Sequence, residues 1–296
     1  MTAPSSGLVA SPNASGRWSQ ERRLALIDFR LRWDGRLNRA DLTDFFGISI
    51  PQASLDIARY GELAPGNMQY DRSARVYLAS AEFRAIYGSS SSQHFLNELL
   101  AYASGEHAEG PGLLGSVPPV TTLPRLSRLV NVDVLVAIQG AIREKTGLRV
   151  RYQSFTRAAP SERVLSPHAF AHDGHRWHVR AFCHLRESFR DFVLGRILSV
   201  ERTEQAGRDG SKDEAWHNMV RLVLAPHPKL AAAHRRTVAL DYGMVNGVLE
   251  VECRQAFLSY VLRHLRLDRQ GLAPEEQQIV LRNAREIERL QGREQR

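Results

Sequence analysis

Lysine is almost missing from this chain. Lys145, Lys212 and Lys229 stand within a total of 40 basic residues, so nearly all the positive charge is arginine. Arginine presents a planar, two-pronged donor that matches phosphate, where lysine is a point charge. A GC-rich genome produces the same bias, so the skew alone decides nothing. Cysteine is equally scarce. Cys183 and Cys253 sit in apolar, strand-like contexts and read as buried free thiols of a reducing compartment rather than a disulfide. No apolar run approaches the ~20 residues that cross a bilayer. The first residues lack the basic-then-apolar order of a signal peptide. The expected location is therefore cytoplasmic, with no membrane partner. Also missing are a GxSxG elbow, a P-loop, an HExxH helix and a convincing Ser/His/Asp set. These absences argue against catalysis, and no cofactor or metal is expected.

What is present fits an α+β chain of several domains. A length of 296 residues implies about two or three, and a hydrophobic fraction of 43% fills ordinary cores. A net charge of +8 and a pI near 9.9 favour polyanionic partners. Residues 1–16, rich in Ser, Pro and Gly, read as a disordered tail. Trp18, Leu24, Ile27 and Leu31 then recur at helical spacing until Gly35. A second helix fits Arg39–Phe46 with Asn38 as its cap, and Gly47-Ile48-Ser49 makes a tight turn. A third helix fits Ile50–Tyr60, with Pro51 in its first turn. Met68–Tyr70 and Arg75–Leu78 flank a polar turn and form a hairpin. This is the order of a winged helix-turn-helix, expected over 17–88. A helical linker is expected over 89–130, including a helix near Gln93–Ala103 and a Gly/Pro-rich stretch from Ser104 to Pro124. A helix at Val132–Thr146, closed by Gly147, opens a mainly β domain over 131–210. A small α/β unit covers 211–296; its expected elements include a helix at Pro228–His234, a strand near Thr237–Tyr242 and a helix at Phe257–Leu267.

In a helix-turn-helix, residues near the start of the third helix meet base edges. By spacing these are Ser49, Gln52, Ser54 and Asp56, with Arg59 reaching the backbone. Glutamine pairs with adenine at two points and serine with any base. Arg72 and Arg75, at the hairpin turn, would touch phosphates or the minor groove. The basic flanks Arg22, Arg23, Arg32, Arg36 and Arg39 favour DNA over a helical bundle that binds only protein.

A second feature is Arg176-Trp177-His178-Val179-Arg180-Ala181-Phe182-Cys183, with Phe189-Arg190-Asp191-Phe192-Val193-Leu194-Gly195-Arg196 following. On a strand, Trp177, Val179, Ala181 and Cys183 share one face, and His178, Arg180 and His184 share the other with Phe182. Arg190 and Arg196 on the next segment extend a cationic surface suited to an anion, the alternative being a solvated basic face. Tyr152 and Ser154 share a strand face and offer a ring for stacking, or a core tyrosine with a bonded hydroxyl. His168, His172, His175, His178 and His184 lack the spacing of a strong metal motif. Asp191 reads as an arginine partner rather than an acid or base.

These residues resemble a family. Arg176-Trp177-His178-Val179-Arg180-Ala181, Ser166-Pro167-His168 and Phe189-Arg190-Asp191-Phe192-Val193-Leu194 are similar to the WYL-domain transcription regulators, in the CapW/BrxR branch. Trp177-His178-Val179 would be the namesake tripeptide, departing from Trp-Tyr-Leu at two positions. The resemblance runs from about residue 18 to the end. It implies a winged helix-turn-helix, a central Sm-like β-barrel WYL domain and a C-terminal WCX extension that helps form a homodimer. It implies a repressor that binds an inverted-repeat, double-stranded DNA operator and controls an anti-phage defence operon. It also implies a WYL pocket sensing a nucleic-acid fragment or nucleotide second messenger, with pocket residues Tyr152, Ser154, His168, His178, Arg180, Arg190 and Arg196. A nucleic-acid-processing enzyme, or its WYL regulatory subunit, is the alternative; the missing acidic metal cluster argues against it.

Overall fold

The computed structural model describes residues 12–105, 112–124, 126, 128–269 and 271–294. The chain divides into two units between residues 126 and 127. Of the tail expected to be disordered, 1–11 lie outside the described residues, and helix α1 already begins within it, at Pro12–Asp34.

In the first unit, β1 (Arg36–Leu37) leads into α2 (Arg39–Phe46) and α3 (Ile50–Leu63). Asn38 caps α2 through a reciprocal box: its side chain accepts from the Asp41 amide, and the Asp41 carboxylate accepts from the Asn38 amide. Gly47 ends α2 at φ 63°, a left-handed conformation that costs glycine nothing. Two residues later Ser49 caps α3, so the turn between the helices is specified at each end. The wing is a three-stranded antiparallel sheet in the order β1-β3-β2, with β2 at Met68–Asp71 and β3 at Val76–Ala79. Leu24, Ile27, Leu31, Leu42, Ala53, Ile57 and Tyr60 form the core, each large apolar side chain adding roughly 1.5–3 kcal/mol. The expected linker is partly built into this unit. In α4 (Ser92–Ala103), Phe95 stacks on Trp33 with centroids 4.1 Å apart, and Leu99 packs with Phe29 and Leu114.

The second unit opens with α5 (Val132–Glu144). Its left-handed end is Lys145, at φ 54°, not the expected Gly147, which lies inside the next strand. Five antiparallel strands follow: β4 (Thr146–Tyr152), β5 (Ser161–His172), β6 (Trp177–Cys183), β7 (Ser188–Val193) and β8 (Ile197–Ala206), in the order β7-β6-β5-β4-β8. Connectivity shows that this sheet is curled. β7 and β8 are its two outer strands, yet a three-residue turn, Leu194–Arg196, joins them. Four residue steps reach at most roughly 14 Å, while flat strands would put those edges about 19 Å apart. The sheet therefore wraps around the core of Val134, Ile138, Leu148, Val150, Leu165, Val179, Ala181 and Phe192.

Beyond a short helix α6 (Glu214–His217) lie β9 (Met219–Pro226), α7 (Ala232–Asp241), β10 (Leu249–Arg254), α8 (Leu258–His264), β11 (Ile279–Leu281) and α9 (Ala284–Glu294). The sheet order is β10-β9-β11. The stretch expected as a strand near Thr237–Tyr242 is helical, within α7. Among the described residues Cys183 and Cys253 are free thiols in separate apolar clusters, and no helix is long and apolar enough to cross a membrane.

Candidate functional site

The winged unit holds α3 rigidly and thereby commits some of its polar residues. Asp56 is fully buried: Arg23 Nε donates to it at 2.6 Å, and Gln52 Nε2 and Gln20 Nε2 at 3.2 and 3.4 Å. The expectation that Asp56 meets a base is therefore corrected; it clasps α3 to α1, and Arg23, expected to flank DNA, serves the same clasp. Gln52 is partly spent on this carboxylate. Ser54 accepts from Arg39 Nε at 2.8 Å and donates to the Ile50 carbonyl. Arg39 also donates to the Tyr77 hydroxyl and lies over the Tyr70 and Tyr77 rings, joining α3 to the wing. Ser49 is exposed but caps the helix, and exposed Arg59 donates to Glu62 at 2.8 Å. Arg72 and Arg75 are exposed on the wing turn, which Asp71 shapes by accepting from the Ser73 and Ala74 amides. Sequence reasoning missed the outer face of α3, where Ile50 and Leu55 are each 64% exposed.

The second site lies on the convex face of the curled sheet, opposite its apolar core. His178 and Arg180 do share this face, but neither is a free cation there. They are 2% and 7% exposed. Arg180 donates to both oxygens of Asp213, at 2.7 and 3.0 Å, and to Asp191 at 3.2 Å. His168, at a bulge in β5, shares the Asp213 carboxylate at 3.0 Å. His178 pairs with Asp173 at 2.9 Å and lies against the rings of Tyr260 and Phe257. The basic surface expected from the sequence is thus a neutralised, covered cluster.

Electrostatics follow from this packing. Burial pushes the Asp213 carboxyl up, but the bonds from His168 and Arg180 outweigh it and hold it at about 2. Burial also opposes the charge of Arg180, yet Asp213 and Asp191 keep its pKa above the ordinary value. For Asp191 burial wins, raising the carboxyl despite Arg180. Burial, followed by the charge of Asp191, pushes the Tyr260 hydroxyl to about 12. Tyr260 therefore stays protonated and donates to Asp191.

The remaining expected pocket residues do not join. Tyr152 is a core residue on the opposite face, edge-on to Phe192, its hydroxyl accepting from the Val193 amide at 3.3 Å. Ser154 lies past the end of β4. Arg190 pairs across strands with Ala181, which puts it on the Ala181 face; it is exposed and donates to Ser188. Arg196 sits in the turn after β7 and lies over Phe155. The residues missed were Asp173, Asp213 and the aromatic cover. Asp213 had a legible signal as the cap of α6, where it accepts from the Trp216 amide. Gly210 permits the approach of this segment: a Cβ there would lie 2.6 Å from His168 Cβ. Phe257 and Tyr260 lie against His178, and Val261 and Leu265 pack in the apolar clusters of the C-terminal unit. Among the described residues no cluster of His, Cys, Asp or Glu is placed to hold a metal.

A winged helix followed by a curled five-stranded sheet and a small α/β unit defines a DNA-binding transcription regulator of the WYL class. Residues 19–101 match the winged helix-turn-helix domain of the BrxR transcriptional regulator, 133–202 the WYL domain, and 219–287 the BrxR C-terminal dimerization domain. The DNA-binding transcriptional repressor CapW of Pseudomonas aeruginosa is 46% identical, covering 98% of this chain and 99% of that one. The CapW repressors of Escherichia coli (strain KTE188) and Stenotrophomonas maltophilia are 45% and 44% identical over 92% and 95% of this chain. The chain belongs to the CapW family of DNA-binding transcriptional repressors. It is not an enzyme: the matching domains bind DNA and dimerise, and the relatives are named as repressors. Among solved structures, proteasome accessory factor B/C (PafBC) of Arthrobacter aurescens is 18% identical with a TM-score of 0.26, too low to bear on the fold; the chain spans half its length.

Proposed function

We propose that the protein is a homodimeric, effector-responsive repressor of an anti-phage defence operon. Two winged units bind an inverted-repeat operator, and an anionic effector, a nucleic-acid fragment or nucleotide, releases it. The observation that carries the effector reading is the Asp213 carboxylate, bound by Arg180 and His168. Arginine and histidine hold a phosphate with the same donors, so Asp213 occupies the seat of an anion. The seat also bears on the dimer, because Asp213 belongs to the short segment that enters the dimerisation domain at residue 219. An effector that displaces Asp213 frees that segment and alters the dimer. Such a switch works only to the extent that the effector prefers the displaced state.

The test uses the full chain and 5′-phosphorylated single-stranded tetranucleotides as probe. Asp213→Asn removes the internal competitor's charge and keeps its shape. The variant is expected to bind the probe at least tenfold more tightly than the parent and to leave operator DNA at lower probe concentrations. Equal, saturable binding by both proteins moves the effector site elsewhere. Operator binding that no probe changes removes the effector reading and leaves the repressor standing.

A further inference from the structure

The outer face of α3 carries information that its polar residues do not. Helical spacing and burial divide the helix cleanly. Ala53, Asp56, Ile57 and Tyr60 face inward. Gln52 and Ser54 are engaged by Asp56 and Arg39. Ahead of Arg59 the exposed residues are Ile50, Pro51, Leu55 and Ala58, with Ser54 falling between Ile50 and Leu55 around the helix. An isoleucine and a leucine with 64% of their surface in water are costly on a helix that buries its opposite side well. The cation of this helix, Arg59, stands near its C-terminal end and is held by Glu62. A guanine-reading arginine is thus missing from the turns that enter the groove first.

We propose that this repressor reads its half-sites mainly through thymine 5-methyl groups, with Ile50 and Leu55 as the specificity-determining residues. The major groove exposes that methyl on thymine alone among the four unmodified bases, and aliphatic side chains are its natural contacts. The wing arginines Arg72 and Arg75 supply affinity for phosphate and carry no sequence information. Ser54, although engaged by Arg39, and the exposed cap Ser49 are polar groups at the start of this helix. The occupant is DNA, not protein, because the face belongs to the helix-turn-helix of a family of DNA-binding repressors, and the wing of the same unit exposes Arg72 and Arg75. The inference rests on the reading of α3 as the recognition helix.

The experiment recovers the tightest-binding duplex from a random pool with the full-length protein. The same duplex is then made with deoxyuridine for thymidine, which deletes only the methyls. Each methyl that is buried contributes about 0.8 kcal/mol, roughly a fourfold change in affinity. The parent is expected to bind the uracil duplex some 4- to 16-fold more weakly. Leu55→Ala should bind the thymine duplex more weakly and bring the thymine-to-uracil ratio towards one. Arg72→Ala should weaken both duplexes equally and keep the parent's ratio. A parent that binds both duplexes alike, while Arg72→Ala still weakens binding, overturns methyl reading and leaves the winged unit as the DNA-binding element. A Leu55→Ala variant that keeps the full ratio removes Leu55 from the readout. A pool that yields no preferred duplex overturns the operator reading and this inference together.

Discussion

Asp28 in the first unit and Asp213 in the second are both buried carboxylates but are satisfied in different ways, while Asp56 in the first unit is, like Asp213, paired with an arginine. Asp28, fully buried in the first unit, accepts among the described residues from neutral donors: the Tyr60 and Ser90 hydroxyls at 2.7 and 2.6 Å, and the Ile86 and Tyr87 amides at 3.1 and 3.3 Å. These tie α1 and α3 to the segment that follows the wing. Asp213, 2% exposed in the second unit, is held by the cationic side chain of Arg180 and by His168. Neutral donors fixed in the backbone and in short hydroxyls suit a static clasp. A cationic seat holding a carboxylate on a short segment can exchange that carboxylate for another anion. The first arrangement gives a rigid platform for α3; the second gives a contact that a ligand is able to compete for.

The largest way to break the comparison is Arg180→Ala. It leaves Asp213 and Asp191 buried with their shared cation gone, and such uncompensated charge costs about 3–5 kcal/mol. Hydrogen exchange read separately over the two units should show accelerated opening of the second unit alone. This differs from what the sequence suggests, where a solvated basic face would tolerate the loss. Asp28→Ala is the counterpart in the first unit. It strands the Tyr60 and Ser90 hydroxyls and two amides, and should cost about 3 kcal/mol, since buried unmade bonds cost roughly 1–3 kcal/mol each and partial relaxation recovers some. Added phosphate should not restore it. A chemical denaturation series with and without phosphate checks both halves of that expectation.

Acid sharpens the contrast. The Asp213 carboxyl is depressed from 3.8 to about 2. A group lowered on folding contributes stability that is complete above its unfolded value and is lost as pH falls through its folded value. The tie between the sheet and α6 is therefore intact above about pH 4 and weakens as pH falls towards 2. Asp173, also lowered although burial alone would raise it, adds to the same loss because His178 and Arg176 hold its charged form. Trp216 lies against His168 and reports the event. Its fluorescence should shift across that window in the parent, and the shift should shrink in Asp213→Asn.

Much of the first unit was legible because its signals are local. Asn38, Gly47, Ser49 and Pro51 act within a few residues of themselves, and α2 begins and ends where they place it. Asp56 was misread because its burial depends on Arg23, 33 residues away. In the second unit alternation assigned the faces of β6 correctly, with Val179 and Ala181 inward and His178 and Arg180 outward. Alternation does not say what covers the outer face. That cover comes from Asp213, 33 residues beyond Arg180, and from Tyr260, whose hydroxyl bonds Asp191 69 residues away. The strand expected near Thr237–Tyr242 failed for a related reason: two β-branched residues and a tyrosine favour strands, but the packing of Val238 beside Leu224 and Leu230 selects the helix.

The smallest effect is expected where the sequence implied a large one. Arg190 and Arg180 belong to neighbouring strands of one motif and read as members of one pocket. Register separates them. Arg180 faces Asp191 across the ladder, while Arg190 faces Ala181. One residue of offset moves a side chain to the other side of a sheet, so Arg190 leaves the cluster and stands exposed beside Ser188. Its guanidinium is already solvated, and exposed polar substitutions of this kind stay within about 0.5 kcal/mol. Arg190→Ala should therefore leave the stability of the second unit unchanged within that margin, and should leave tetranucleotide binding and its competition with Asp213 as in the parent. A calorimetric scan and the probe titration measure both. A loss of probe affinity in Arg190→Ala equal to that in His168→Ala would mean that the effector contacts the other side of the sheet, and the Asp213 seat would then be a structural clasp like Asp28.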